Sequence, residues 1–368
     1  MKYPNNPKKN ILFITNGHGE DAVAAEIIKN LPAVNISVMP LVGAGKAFEN
    51  LYVNILGNPR ALPSGGFSFR NLSFLVRDLA AGLLPDIFGK RSALKKLKNE
   101  FALVVGIGDI ISLVFSKLTK APLIYVGVNK SSYYQSYGFD YTNPEKKLIK
   151  NRAKIAFVRD ALTQETLKMD GIDAQFIGNP LMDCINFSQK IEIDRHKTYI
   201  TLLPGSHQDA IINYSDLLDV SNQIIELNPQ KEIEFLMPVP STVYEKLSAK
   251  RVPSIKLLNG YFGVALSAAK IVIGLAGSAN EQAAGLGKPV IAFPGKGSQY
   301  TQKFAQAQKQ LLGEALLITT KEAAAKAATD LFNNETKLAR MTKEGKSRMV
   351  KNNACEKIAL SIKELLAS

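Results

Sequence analysis

Short apolar runs recur along this chain. Each ends in glycine or a small polar turn, and a stretch with apolar positions at helical spacing follows. Residues 10–15 (NILFIT), 101–110 (FALVVGIGDI), 122–128 (PLIYVGV) and 153–159 (AKIAFVR) read as strands buried on both faces. Near-continuous apolar runs of this length suit a parallel sheet covered by helices. Residues 34–42 and 174–177 add two more strands, and the intervening helices are predicted over 22–30, 67–98, 111–118 and 161–169. The pattern breaks at Gly178-Asn179-Pro180-Leu181-Met182-Asp183, and the chain stays polar and irregular to about Lys197. The alternation then starts again. Strands are predicted at 199–203, 233–238, 255–258, 271–273 and 290–293, and helices at 214–227, 243–249, 262–269, 280–286, 300–311 and 320–332. Such alternation predicts an α/β fold with parallel sheets. The break predicts two domains, residues 1–180 and 181–350, with 351–368 as a C-terminal helix expected to pack back on the first.

Bulk composition adds little to this picture, and charge adds more. At 368 residues the chain is too long for one ordinary core. With 46% hydrophobic and 21% charged residues it reads as an ordinary globular protein. No run approaches the ~20 apolar residues of a spanning helix. The polar start MKYPNNPKKN carries no apolar signal segment, so a cytoplasmic location is expected. Cys184 and Cys355 stand far apart, with neither metal spacing nor a disulfide framework. The net charge of +14 favours nucleic acid, an anionic membrane face or phosphorylated ligands. No nucleic-acid module accompanies it, so nucleic acid is not an expected partner. Residues 67–98 interleave Phe67, Phe69 and Phe74 with Arg70 and Arg77, and later add Lys90, Arg91, Lys95 and Lys96. That is the composition of an interfacial helix, and equally of a core helix with a solvated basic face. The tail from Lys337 to Lys363 is lysine-rich at helical spacing, which reads as a solvated helix face.

Three turns carry candidate chemistry. Gly17-His18-Gly19-Glu20-Asp21 follows the first strand, where ligands bind in an open α/β sheet. Its two glycines let the backbone pass close to a ligand, and Glu20 or Asp21 can cap the next helix. His18 titrates near neutrality and could act as a general base. Asp109, just past residues 101–107, could be a base or the cap of the helix after it. The third turn lies in residues 271–295 (IVIGLAGSANEQAAGLGKPVIAFPG): strand, glycine turn, helix start, strand. A helix N-terminus there presents backbone N–H groups to an anion. Ser278 and Glu281 also have the spacing of a capping box. Between strands, residues 129–142 hold Tyr133, Tyr134, Tyr137 and Tyr141 in one short polar loop, which suggests a binding surface or lid.

Two Rossmann-like halves, with a glycine motif late in the second, form the GT-B glycosyltransferase pattern. The chain resembles lipid A disaccharide synthase and its relatives. The resemblance rests on the acidic first turn Gly17–Asp21, on Gly178-Asn179-Pro180-Leu181-Met182-Asp183, on Leu203-Pro204-Gly205-Ser206, and on Gly277-Ser278-Ala279-Asn280-Glu281. It implies two Rossmann-like domains whose parallel sheets face a central cleft. It also implies that the second domain grips a nucleotide sugar, UDP-linked in such enzymes. Gly205, Ser206 and His207 would meet the donor phosphates, and Gly277, Ser278 and Ala279 would form the diphosphate loop. Glu281 would hydrogen-bond the ribose hydroxyls. Gln299, Gln302 and Gln306 fall where related transferases place polar side chains against the sugar. Gly17, Gly19, Glu20, Tyr133 and Tyr134 would line the acceptor side. The synthase has arginine where this chain has His207, and the surroundings of Asp109 differ from its pattern.

The expected reaction is an inverting, metal-independent sugar transfer to a lipid-type or amphipathic acceptor. Asp109 or His18 would serve as base, with no cofactor beyond the donor and with peripheral attachment to the inner face of the cytoplasmic membrane. No Asp-x-Asp or His/Cys cluster suggests a metal. A sugar-nucleotide 2-epimerase of the same fold is the alternative, although residues 203–210 lack the His-Arg-Arg-Glu-Asn type of sequence expected of one. A non-catalytic nucleotide-sugar or lipid-binding relative is the third reading.

Overall fold

The structure, a computed structural model, describes residues 10–32, 35–57, 83–205, 207–250 and 252–367. It divides into two compact units. The first comprises the chain to Gln135, Phe139–Cys184 and Asn352–Ser368; the second is Ile185–Lys351 with Ser136–Gly138.

The first unit is built on seven strands: β1 (Ile11–Thr15), β2 (Ile36–Pro40), β3 (Asn54–Ile55), β4 (Leu103–Ile107), β5 (Leu123–Val126), β6 (Ala153–Phe157) and β7 (Ala174–Gln175). They form one sheet in the order β3-β2-β1-β4-β5-β6-β7. All pairings are parallel, and Ile11 stands opposite both Ile36 and Leu103. Along β1 the pleat sends Ile11 and Phe13 to one core and Leu12 and Ile14 to another. Both faces are therefore buried, as the unbroken apolar runs require. The first core includes Val23, Ala24 and Ile27 of the helix His18–Lys29. Cys355, Ile358, Ala359 and Ile362 of the last helix, Ala354–Ala367, pack there too. Their spacing puts them on one helix face.

The second unit repeats the scheme with β8 (Thr198–Leu203), β9 (Ile233–Val239), β10 (Ile255–Asn259), β11 (Ile271–Gly274), β12 (Val290–Ala292) and β13 (Leu316–Ile318). The order is β10-β9-β8-β11-β12-β13, again all parallel. In each sheet the order reverses once, between β1 and β4 and between β8 and β11. These are the switch points at which connections depart to opposite sides and leave the carboxyl ends of two strands open.

Several local expectations change. The lysine-rich tail is two helices, Glu335–Arg348, which ends at Met349 (φ −109°, ψ 65°), and Ala354–Ala367, which Asn353 precedes in a left-handed conformation at φ 49°. A right-handed helix cannot continue through such a residue. Residues 58–82, which hold the aromatic part of the proposed interfacial segment, lie outside the described residues. The described remainder forms the helix Leu83–Lys96. There Lys90 is buried, not solvated, and its ammonium donates to the Leu41 carbonyl at 3.1 Å. No helix among the described residues is long and apolar enough to cross a membrane.

At one crossing in the second unit, backbone meets backbone. A Cβ on Gly345 would lie 2.2 Å from the Ala284 carbonyl oxygen, so helix Glu335–Arg348 approaches helix Ser278–Gly285 only through glycine. Alanine has a helix-propensity advantage over glycine of about 1 kcal/mol. Forcing the helices apart costs typically 1–3 kcal/mol or more. Net of that propensity gain, Gly345→Ala should therefore lower stability by about 1 kcal/mol, measured as a reduced urea midpoint.

Candidate functional site

Each switch point gathers side chains, and the two collections differ in chemistry. In the first unit, the turn after β1 meets the turn after β4. The helix there starts at His18, four residues earlier than its apolar pattern suggests. Gly17 is the N-cap and no side chain caps it, so Glu20 and Asp21 are not caps but first-turn residues. Both carboxyls turn inward, with Glu20 5% and Asp21 1% exposed. Glu20 accepts a hydrogen bond from the Asn129 amide, just past β5. A Cβ at Gly17 would stand 2.6 Å from its Oε2, so glycine here makes room for the carboxyl. Thr15 donates its hydroxyl to Asp21 Oδ1 at 2.5 Å, while Asp21 Oδ2 is buried without a hydrogen-bond partner.

Asp109 caps the helix Ile110–Ser116: its Oδ1 accepts from Ile111 N at 2.9 Å. The same oxygen accepts from Asn16 Nδ2 at 2.9 Å, which ties the two turns together. Beside it stands Glu145, fully buried, which accepts from Ile110 N at 3.1 Å and pairs with Lys130 Nζ at 2.6 Å. Neither Glu145 nor Lys130 stood out in sequence. The available signal was Thr142-x-x-Glu145 followed by helix: Glu145 Oε2 reaches back to Thr142 N at 2.8 Å. The capping box is here, not at Ser278 and Glu281.

Burial dominates the electrostatics. It pushes the Glu20 carboxyl up to about 8, with Asp109 and Asp21 nearby adding to the effect against the Asn129 hydrogen bond. Burial likewise takes Asp21 up to about 7. Asp109 is raised, chiefly by burial, against the hydrogen bond from Ile111. His18 retains exposed surface, and its pKa is lowered by partial desolvation and then by Lys46. It is therefore neutral near pH 7, with an imidazole able to accept a proton.

Two of the four tyrosines do not form a surface. Tyr134 and Tyr141 are buried, Tyr134 near the Arg159 guanidinium and Tyr141 edge-on to Tyr125. Tyr133 is half-buried. Composition alone cannot tell a tyrosine wall from a tyrosine lid.

In the second unit, Leu275 N donates to Leu203 O at 2.8 Å, so the ends of β8 and β11 run side by side. This brings Gly205 against Leu275, which leads into the turn Gly277-Ser278-Ala279: a Cβ on Gly205 would stand 3.0 Å from the Leu275 carbonyl oxygen. Gly205 itself has φ 98°, a conformation suited to glycine. Gly277 is the N-cap of helix Ser278–Gly285; it makes no side-chain cap hydrogen bond, and Ser278 is exposed at the helix mouth. Glu281 is buried one turn in. Beneath the turn, Asn280 Nδ2 donates to Gly274 O and to Gln308 Oε1, both at 3.1 Å, and Gln308 Nε2 donates to Gly277 O at 2.9 Å. Tyr300 donates its hydroxyl to the same Gln308 oxygen at 3.0 Å. The amide pair thus fixes the turn from below.

The loop after β12 is pinned to the helix His207–Leu227: Asp209 accepts from Gln299 N at 2.8 Å and Asn213 from Lys296 N at 3.0 Å. Gln302 and Gln306 border a groove of about 600 Å³ with Pro294, Thr319 and Thr320. A larger groove of about 710 Å³, at Lys197, Ile233 and Ile255, lies at the opposite, amino ends of the strands, where ligands of this fold type do not bind. Ser206 lies outside the described residues, and His207 opens its helix. No group of three or more His, Cys, Asp or Glu among the described residues could hold a metal ion.

Comparison with known proteins places this geometry. No protein-family model matches the chain. The lipid-A-disaccharide synthase of Syntrophus aciditrophicus is 25% identical over 135 residues, covering 33% of this chain and 35% of the synthase. Among solved structures, Staphylococcus aureus MnaA in complex with UDP matches 98% of this chain and 97% of its own, at TM-score 0.63 and 15% identity. The UDP-GlcNAc 2-epimerase of Neisseria meningitidis, bound to UDP-GlcNAc, matches 97% and 99% at TM-score 0.61 and 15% identity. MurG of Acinetobacter baumannii matches 97% and 99% at 0.60 and 16%. The fold is GT-B. It comprises two α/β, Rossmann-like domains with parallel sheets of seven and six strands.

The raised carboxyls make stability fall as pH rises. Glu20 loses its proton near pH 4.5 when unfolded but near 8 when folded. Between these values the folded state binds more protons, so stability declines as pH increases. Glu20→Gln keeps an acceptor for Asn129 and removes the ionisation. It should flatten the loss of melting temperature between about pH 5 and 8, and stabilise the protein at pH 8 by on the order of 2 kcal/mol.

Proposed function

We propose that this chain is a glycosyltransferase that takes its sugar from a nucleoside-diphosphate sugar, UDP-linked, and delivers it to a lipid-type or amphipathic acceptor. One observation carries the reading: on the open switch point of the second unit the end of β8, with Gly205 against Leu275, runs beside the end of β11, after which Gly277-Ser278-Ala279 opens a helix with Glu281 one turn in. Backbone N–H groups at such a terminus suit the oxygens of a diphosphate, and a carboxylate suits a ribose diol. The partial likeness to lipid-A-disaccharide synthase and the solved neighbours holding UDP and UDP-GlcNAc support the same ligand class.

His18 is the better base of the two candidates. It is neutral at physiological pH and exposed. Asp109 spends one oxygen on a helix cap and on Asn16. The acceptor hydroxyl gives its proton to His18 as its oxygen bonds to the anomeric carbon. The bond to the diphosphate breaks on the opposite face, and the amide-lined turn stabilises the leaving charge. Asp109 then positions the turn that carries His18, through Asn16. The net charge of +14 suits an anionic membrane surface near a lipid acceptor.

A second reading, sugar-nucleotide 2-epimerase, is favoured by the buried acids Glu20, Asp21, Asp109 and Glu145, which could exchange a proton at a sugar carbon. Incubation with UDP-GlcNAc in deuterated water separates the two: deuterium at C2 supports the epimerase, and acceptor-dependent release of UDP supports the transferase.

Under the transferase reading, UDP should raise the melting temperature, and Glu281→Ala should weaken that shift at least tenfold in concentration. His18→Ala should leave the shift intact and lower kcat by 10²–10⁴, the usual contribution of a general base. If no nucleotide or nucleotide sugar shifts the parent protein, the reading is lost.

A further inference from the structure

The two cysteines stand 171 positions apart in sequence, yet their sulfurs share one acceptor. Cys184 Sγ lies 3.5 Å and Cys355 Sγ 3.7 Å from the carbonyl oxygen of Pro180, so one oxygen accepts from both thiols and holds the two sulfurs side by side. Cys184 is partly exposed and Cys355 buried. Further links tie the same two segments together. Asp183 Oδ2 accepts from Cys355 N at 2.9 Å, which caps the C-terminal helix, and Asn352 Nδ2 donates to Ile177 O at 3.2 Å. The position is also special along the chain. The chain leaves the first unit for the long second-unit segment at Cys184 and re-enters it at Asn352, so the thiols sit beside the two crossings that bound Ile185–Lys351.

We infer that Cys184 and Cys355 form a reversible intramolecular disulfide, made by exchange with a low-molecular-weight disulfide, that joins the two crossings. Cys184 is the entry point because solvent reaches it; the neighbouring Cys184 thiol and then burial hold the Cys355 proton far more tightly than usual. The Cys184 thiolate attacks one sulfur of the oxidant R–S–S–R. The S–S bond breaks, and the leaving R–S⁻ takes up the proton lost by Cys184, giving R–SH and a mixed disulfide. Cys355 then gives its proton to the departing R–S⁻ as its sulfur attacks Cys184, and a second R–SH leaves. The sum is two cysteine thiols and one R–S–S–R converted to one protein disulfide and two R–SH. The product closes all of residues 185–351 into a covalent loop and fastens the last helix to the segment before the first crossing.

The native full-length protein is treated with oxidised glutathione and its intact mass and free thiols are measured, followed by peptide mapping. The expected product loses the mass of two hydrogens, both free thiols and no more, carries no glutathione, and yields a peptide joining Cys184 to Cys355. Dithiothreitol restores both thiols. Cys355→Ala should stop at the first step and gain the mass of one glutathione on Cys184. Cys184→Ser should keep Cys355 reduced. A second readout is independent of mass: oxidation should slow amide exchange in residues 354–362 of the parent protein and leave both variants unchanged. A stable glutathione adduct on Cys184 in the parent protein, with Cys355 still free, overturns the inference. So does retention of both thiols under conditions that oxidise the urea-unfolded chain.

Discussion

Between β1 and β4, and again between β8 and β11, successive connections depart in opposite directions, and no crossover covers the strand ends. Almost every feature with chemical character follows from that topological constraint. The strands themselves are unremarkable parallel runs buried on both faces. Where the cover parts, backbone and side chains must satisfy themselves by other means. In the first unit they do so with carboxyls and amides drawn from three strand ends. In the second they do so with the amides of Asn280 and Gln308 beneath a glycine turn.

The second arrangement explains why glycine recurs there. A Cβ on Gly274 would fall 1.9 Å from Asn280 Oδ1, so the strand must end in glycine for the amide to reach its carbonyl. Gly295 and Gly297 likewise admit the Asn213 and Asp209 side chains that hold the following loop. These contacts fix the turn from behind while its mouth stays open to solvent, the condition for preorganised binding of an anion. The turn owes its shape to buried neutral amides, so its geometry does not depend on the pH range in which the first unit's acids titrate.

The sheet, its parallel sense and the placing of turns at strand ends are legible in the sequence because each is a local property. Apolar run length and the glycine after it decide them. Short edge strands such as Asn54–Ile55 leave no such run. What escapes is whatever sheet order assembles. Lys130 and Glu145 reach the Asp109 turn only because β5 lies next to β4, and nothing in residues 129–145 announces that neighbour. Cys184 and Cys355 read as unrelated for the same reason. Glu20 and Asp21 were visible as an acidic pair, but their inward direction depends on the helix beginning at His18, and a Gly-His-Gly turn does not reveal that start. Tyr134 and Tyr141 show the reverse error: clustered tyrosines look like a surface when the polar residues between them supply the actual exposure.

The contrast between the two switch points bears on how the chain divides its chemistry. Four carboxyls, Glu20, Asp21, Asp109 and Glu145, crowd the first, and among them Glu145 has a close cation in Lys130. Burial raises Glu20 to about 8 and Asp21 to about 7, so near pH 7 these two carboxyls keep much of their protons and the cluster carries well under its formal negative charge. A neutral hydroxyl there would meet carboxyl oxygens and a nearby imidazole. The second switch point offers the reverse: a helix N-terminus, backbone amides and side-chain amides, with its acid one turn back from the mouth. The second unit's turn thus offers donors to an anion, and the first unit's turn offers carboxyls and an imidazole that can hold or move a proton. That division follows from which residues the two reversals bring together, and it holds for either a transferred sugar or an exchanged proton.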